Sequence, residues 1–249
     1  MSNTAPIRTR LNINGQWLEY EDERDEIINY GSITEKDAAE VLHKAKQLLD
    51  EAGIPFSLGF GSLLGAVREK GHVVKGDQDV DIFTWEEEKL RDNLVDFYSK
   101  GLKVTRIYPG RQYCFRVNMN CFIDIYIMRE LDGILNLPWR FYCISLAWGE
   151  APKKFFTGWS KIEFLGEECM CPRDPEKLLE FWYGADWRIP QDKKGNYSVK
   201  AFHLYWKYIR MMMKPFYVFT KCLKFCTNSS YRHKILKRKK ETGSFFYKP

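Results

Sequence analysis

The stretch TEKDAAEVLHKAKQLLDEAG (34–53) sets apolar residues at Ala38, Val41, Ala45, Leu48 and Leu49 with charged residues between them. That spacing is one face of a helix, Thr34 followed by Asp37 resembles a capping box, and Gly53 is a stop signal, so the pattern predicts an amphipathic helix. The period then shortens. PFSLGF (55–60), closed by Gly61, predicts a strand, SLLGAVREKG (62–71) a short helix or turn, DVDIFTW (79–85) a second strand, and EEEKLRDNLVDFYSKG a second helix ending at Gly101. KVTRIYP, YCFRVNM and CFIDIYIM predict three further strands, and DPEKLLEFWYG (174–184) a helix that begins after Pro172 and stops at Gly184. Helices alternating with strands, followed by a run of strands, predict an α+β fold, a mixed sheet with helices packed on it.

Composition narrows the class. With 249 residues, 45% of them hydrophobic and 16% aromatic, the chain can bury a full core as one domain or one domain with a small appendage. The N-terminal MSNTAPIRTRLNINGQWLEY lacks the apolar segment of a secretory signal. Seven cysteines (Cys114, Cys121, Cys143, Cys169, Cys171, Cys222 and Cys226), an odd number scattered in apolar context, suggest reduced thiols in a cytoplasmic compartment rather than a disulfide framework. The net charge of +6 conceals an asymmetry: 11 of the 39 basic residues lie between His203 and Lys240, where there is no Asp or Glu, leaving 28 basic against 33 acidic residues elsewhere. The expected organisation is an N-terminal extension (1–30), a main domain (31–190) and a helical, basic, aromatic-rich C-terminal segment (191–249).

Within GFGSLLGAVREKGHVVKGDQDVDIF (59–83), Asp77, Asp79 and Asp81 alternate with other residues just before an apolar run. Side chains at i and i+2 of a strand share a face, so Asp79 and Asp81 project together while Val80 and Ile82 point into the opposite layer. Two adjacent carboxylates repel, and a divalent cation between them relieves the repulsion; all-oxygen ligands favour Mg²⁺ or Mn²⁺. A solvated turn at Gly76, Asp77 and Gln78 is the plainer reading. CFIDIYIM adds Asp124, a single carboxylate in an apolar strand, which requires a partner or a metal. A salt bridge to Arg116 on the preceding strand would serve; if its strand instead neighbours that of Asp79 and Asp81, the three carboxylates form a triad able to hold metal against a phosphate chain. Gly59, Gly61 and Ser62 lie where strand gives way to helix, a place where amides and a hydroxyl face anions, though glycine turns there commonly serve packing.

GSLLGAVREKG followed by DQDVDI resembles the LicD and fukutin-related family, whose members carry a G-T/S-L-L-G-A-x-R segment and then D-x-D-h-D, h being apolar. RDPEKLLEFWYGADWRIP (173–190) is similar to that family's second block, P-x-x-x-L-x-x-x-Y-G-x-x-W. The resemblance covers roughly residues 36 to 190. The chain departs from it at HVVKG, where many members have an apolar-Pro-Trp segment, and at Gln78. The resemblance implies a nucleotidyltransferase-type fold and a phosphotransferase that moves a phospho-alcohol such as phosphocholine, phosphoribitol or phosphoglycerol from a CDP-linked donor to a glycan or lipid-linked glycan, releasing CMP. It further implies that Asp79 and Asp81 bind catalytic Mg²⁺ or Mn²⁺, that Asp124 is a further ligand or the base, and that Gly61, Ser62, Arg68 and Asp77 contact substrate. Arg68 would neutralise the leaving CMP, or else form a helix-surface salt bridge to Glu35 or another acid.

Other candidates have plainer explanations. Cys169, Cys171, Cys222 and Cys226 could supply zinc thiolates, but the pairs are far apart and buried thiols explain them. His43, His72, His203 and His233 share no ligand spacing. Trp148, Trp159, Trp182, Tyr183 and Trp187 suit a core better than a sugar platform. In the tail, Lys207, Arg210, Lys214, Lys221 and Lys224 interrupt every apolar run short of the ~18 residues a span needs. Its aromatic and basic interleaving fits either a core-packing helix with a solvated end or a helix on an anionic membrane surface, giving a cytoplasmic protein or one peripheral on the cytoplasmic face. An enzyme adding a nucleotide to a small molecule, protein or RNA would use the same triad; a nucleic-acid partner is not expected.

Overall fold

A computed structural model describes residues 7–23, 32–128 and 153–190 and, beyond these, 219, 222–223, 225–229, 232–233 and 236. Backbone contacts divide the chain into a unit of Met1–Leu131 with Phe141–Tyr197 and a unit of Asp132–Arg140 with Ser198–Pro249. Every described strand lies in the first.

That unit opens with a hairpin absent from the expectations above, β1 (Ile7–Ile13) paired antiparallel with β2 (Gln16–Asp22). Leu18 and Tyr20 of β2 enter the main core, and the Glu23 amide donates to the Thr105 carbonyl at 2.9 Å. Helix α1 (Glu35–Glu51) forms as its capping signal predicts: the Asp37 amide donates to Thr34 Oγ1 at 3.1 Å, satisfying a first-turn donor that would otherwise be unpaired. Its buried stripe is Ala38, Val41, Leu42, Ala45, Leu48 and Leu49.

The expected strand over 55–60 shrinks to β3 (Ser57–Leu58), because helix α2 (Phe60–Arg68) already begins at Phe60. The Leu63 amide donates to the Gly59 carbonyl at 2.8 Å, closing the first helical turn on Gly59. β4 (Asp79–Thr84) follows as expected. The single helix expected over 86–101 is two, α3 (Glu87–Asp92) and α4 (Leu94–Ser99). They meet at Asn93, whose Nδ2 donates to the Lys89 carbonyl at 2.9 Å, an amide bonding its own backbone and competing with helix continuation. β5 (Lys103–Tyr108), β6 (Gln112–Arg116) and β7 (Phe122–Ile127) complete a five-stranded sheet of order β3-β4-β7-β6-β5. The β4–β7 pair is parallel and the others antiparallel, so the sheet is mixed and the fold α+β. A second unforeseen hairpin, β8 (Trp159–Phe164) with β9 (Glu167–Pro172), precedes α5 (Pro175–Tyr183), which ends at Gly184 as expected.

Strand alternation gives the central sheet two unlike faces. Val80, Ile82, Ile123, Ile125 and Ile127 are buried on one side, and α1 packs against β4 and β7. By the same alternation Asp79, Asp81 and Phe83 of β4, Phe122, Asp124 and Tyr126 of β7, and Gln112 and Cys114 of β6 share the other side. The carboxylates are therefore in the sheet itself and inherit the rigidity of two paired strands.

Candidate active site

Parallel pairing of β4 with β7 sets Asp81 directly opposite Asp124, and Asp79 lies two residues back on the same strand face. Carboxylate oxygens of Asp79, Asp81 and Asp124 all lie within 4.8 Å of one another. The strands whose adjacency the sequence left open are thus neighbours. Asp81 and Asp124 are nearly inaccessible, 7% and 5% exposed, and Asp79 is half-buried.

The N-terminus of α2 meets this cluster. The Gly61 amide donates to Asp81 Oδ2 at 3.0 Å, the Asp81 amide donates to Ser62 Oγ at 2.8 Å, and the Gly59 amide donates to the Asp81 carbonyl at 3.0 Å. Three residues at the start of one helix thereby fix the backbone and carboxylate of Asp81, and the positive end of the helix dipole faces an anion. A Cβ on residue 61 would stand 2.3 Å from Asp77 Oδ2 and 3.2 Å from Asp81 Oδ2, so any larger residue would push these carboxylates out of their places.

Burial pushes the Asp81 carboxyl well above the usual carboxylate range, and the neighbouring charges of Asp79, Asp77 and Asp124 push it further, while the Gly61 amide pulls it back. Asp124 is also raised by burial, against the opposing pull of the Cys114 thiol, Arg106, Gln112 and the Tyr126 hydroxyl. Its Oδ1 is buried and has no hydrogen-bond partner among the described residues, while Oδ2 accepts from Gln112 Nε2 at 2.5 Å. A buried acceptor without a donor, set among like charges, is costly to keep. Three hard oxygen ligands converging on one point fit Mg²⁺ or Mn²⁺, which would supply the missing positive charge.

Of the plainer partners weighed for these residues, an acid on Arg68 is found, Glu69 in place of Glu35, and Arg116 on Asp124 is not. Arg116 pairs with Glu23 at 2.5 Å instead of with Asp124, and Glu35 accepts from the Val73 amide and bonds His72 instead of Arg68. Arg68, at the far end of α2 from Gly61, holds Glu69 through Nε at 2.6 Å and donates from Nη1 to the Trp187 carbonyl at 3.1 Å. Ser62 is buried with its hydroxyl on Asp81, and Asp77 Oδ1 accepts from the Gln78 amide at 3.2 Å. Cys169 and Cys171 are buried, Cys222 and Cys226 exposed, and the triad is the one metal-competent cluster among the described residues. Trp182 and Trp187 are core residues, and Trp159 is half-buried in a stack on Trp85. Cys143, Trp148 and His203 lie outside the described residues. Gln112, Tyr126 and Phe60 were not singled out in the sequence; lone amides and rings in apolar strands carry no spacing signal.

Residues 53–174 match the LicD/FKTN/FKRP nucleotidyltransferase domain. This stretch is similar to that family's domain. The chain is similar in sequence to two curated proteins named ribitol-5-phosphate transferase FKTN. One, from Mus musculus, is 26% identical over 167 residues, covering 64% of this chain and 34% of the relative. The other, from Homo sapiens, is 24% identical over 165 residues, covering 62% and 34%. The match thus spans about a third of the length of these relatives. Among solved structures, lincosamide antibiotic adenylyltransferase LnuA aligns with TM-score 0.40 and 14% identity over 59% of this chain and 85% of that one. The antibiotic-resistance factor ANT(2'')-Ia aligns with TM-score 0.40 and 14% identity over 80% and 100%.

The first motif block is α2 with β4, the strand that bears Asp79 and Asp81. The second block, 173–190, packs on it: the Phe60 ring lies 4.7 Å from that of Trp182, and Arg68 bonds the Trp187 carbonyl. Two motifs separated by about ninety residues of sequence form one piece of structure.

Proposed function

We propose that the protein is a metal-dependent phosphotransferase that moves a phospho-alcohol, such as phosphoribitol or phosphocholine, from a CDP-linked donor to a hydroxyl of a glycan or lipid-linked glycan. The observation that carries the proposal is the triad, three carboxylates on adjacent parallel strands with a buried, unpartnered oxygen on Asp124. The relatives' name, ribitol-5-phosphate transferase, supports this chemical class.

Asp79, Asp81 and Asp124 would hold Mg²⁺ or Mn²⁺. Bound there, the cation would offset charge on the donor's diphosphate and on the departing nucleotide. The chain's own residues do the rest. Gly61 and Ser62, locked to Asp81, keep that carboxylate aimed through the reaction. The acceptor oxygen forms a bond to the phosphorus bearing the alcohol as the bond from that phosphorus to CMP breaks. The acceptor's proton passes to a carboxylate of the site, for which Asp124 is the candidate.

The test is to incubate the protein with CDP-ribitol, CDP-choline, CDP-glycerol and nucleoside triphosphates, each with and without Mg²⁺ or Mn²⁺ and a glycan acceptor. Metal-dependent CMP release with transfer of the alcohol phosphate is expected. Pyrophosphate release with nucleotide attachment would instead make it a nucleotide-adding enzyme.

A further inference from the structure

We infer that Gln112 is a positioning residue for Asp124, holding one carboxylate oxygen so that the other stays aimed at the cation site. The inference rests on the metal-binding reading of the triad given above. Gln112 opens β6 directly before the apolar run Tyr113-Cys114-Phe115, and it is 7% exposed. A carboxylate only accepts, so the group facing Asp124 Oδ2 at 2.5 Å is the NH₂ of the amide. The same nitrogen lies 3.3 Å from Cys114 Sγ, which gives it a second partner and fixes the plane of the amide. With Oδ2 held, the carboxylate cannot turn freely about its own axis, and Oδ1 remains the oxygen without a partner.

The chemistry of the donor matters. An amide is neutral, so it orients Asp124 without cancelling the negative charge a cation requires. A lysine or arginine in its place would compete with that cation. Arg106 bears on Asp124 as a charge, Arg116 is held by Glu23, and the Cys114 thiol and Tyr126 hydroxyl also act on this carboxylate; Gln112 is the amide among its donors, at 2.5 Å from Oδ2. A purely structural Gln112 would stabilise the fold with or without metal. A positioning Gln112 makes metal affinity depend on the amide.

The experiment titrates the metal-free full chain with Mn²⁺ in the absence of any donor, by calorimetry, for wild type, Gln112→Met and Gln112→Leu. Both substitutions are close in volume and lack the N–H. We expect both variants to keep the wild-type circular dichroism spectrum, to bind Mn²⁺ some 10- to 100-fold more weakly, and to need correspondingly more Mn²⁺ for half-maximal CMP release. Wild-type Mn²⁺ affinity in both variants would overturn the assignment while leaving the metal centre standing. Loss of the fold in both would overturn it too, by making Gln112 a structural residue. Failure of the wild type to bind Mn²⁺ would remove the centre and the assignment together.

Discussion

At the scale of single residues, the triad sets stability against function. Asp81 has a higher carboxyl pKa folded than unfolded, so the metal-free folded state binds that proton more tightly than the unfolded chain does. Its contribution to stability is therefore present in acid and is lost as the pH rises through the folded value. Asp81→Asn removes the penalty. We expect the metal-free variant to melt above wild type near neutral pH by roughly 2–4 °C for each ~1 kcal/mol relieved, with the gap closing in acid. Added Mn²⁺ should raise the melting temperature of wild type but not of the variant. Asp79→Asn, Asp81→Asn and Asp124→Asn should each abolish transfer, since each deletes a ligand while keeping side-chain size. Full activity in any one would break the triad. These three residues were legible because alternation along a strand and a lone acid in an apolar run are patterns in one dimension. Gln112 was not, since its meaning comes from the register of β6 on β7, which pairs residues far apart in the chain.

Elements show the same division between local and long-range signals. The α1 cap and stripe, the limits of β4 and β7, and the Gly184 stop are all local, and each appears where its residues predict. The β1–β2 hairpin was local too: Asn14-Gly15 between apolar runs is a strong turn signal that the helix-led reading passed over. What sequence does not reveal is how that hairpin is joined to the sheet. Glu23 and Arg116, 4% and 14% exposed, form an ion pair at 2.5 Å between the end of the hairpin and β6. Breaking a buried pair strands the survivor, so Arg116→Met should cost on the order of 3 kcal/mol, read as a lower denaturant midpoint at unchanged slope. Adding Glu23→Leu to it should recover most of the loss; a double variant as unstable as the sum of the singles would argue against a coupled pair. Motif glycines belong to this scale as well. A Cβ on Gly65 would come within 2.4 Å of the His72 carbonyl oxygen, which is backbone and cannot swing aside. Gly65→Ala should therefore cost ~1–3 kcal/mol by pushing the 71–72 turn off α2; an unchanged melting temperature would show that the turn yields freely.

On the scale of the whole molecule, charge is divided by position: acid predominates up to residue 202, and the stretch from His203 to Lys240 holds 11 Lys and Arg with no acid. No helix among the described residues is long and apolar enough to cross a membrane. The few described positions of the tail are mostly helical and show apolar side chains outward, Phe219 at 66% and Leu223 at 53% exposed. Such residues interleaved with cations are the composition of a helix that lies in the interface, rings among acyl chains and lysines at anionic headgroups, each cation near the surface adding about 1 kcal/mol. If the acceptor is a glycan on a lipid carrier, a surface-held enzyme meets it in two dimensions. The full chain should then co-sediment with vesicles containing phosphatidylserine and remain in solution with uncharged phosphatidylcholine vesicles. High salt should weaken the binding, as screening requires, and a chain ending at Gln191 should stay in the supernatant throughout. Equal partition of the full and shortened chains into the supernatant would make the tail an ordinary part of the folded protein.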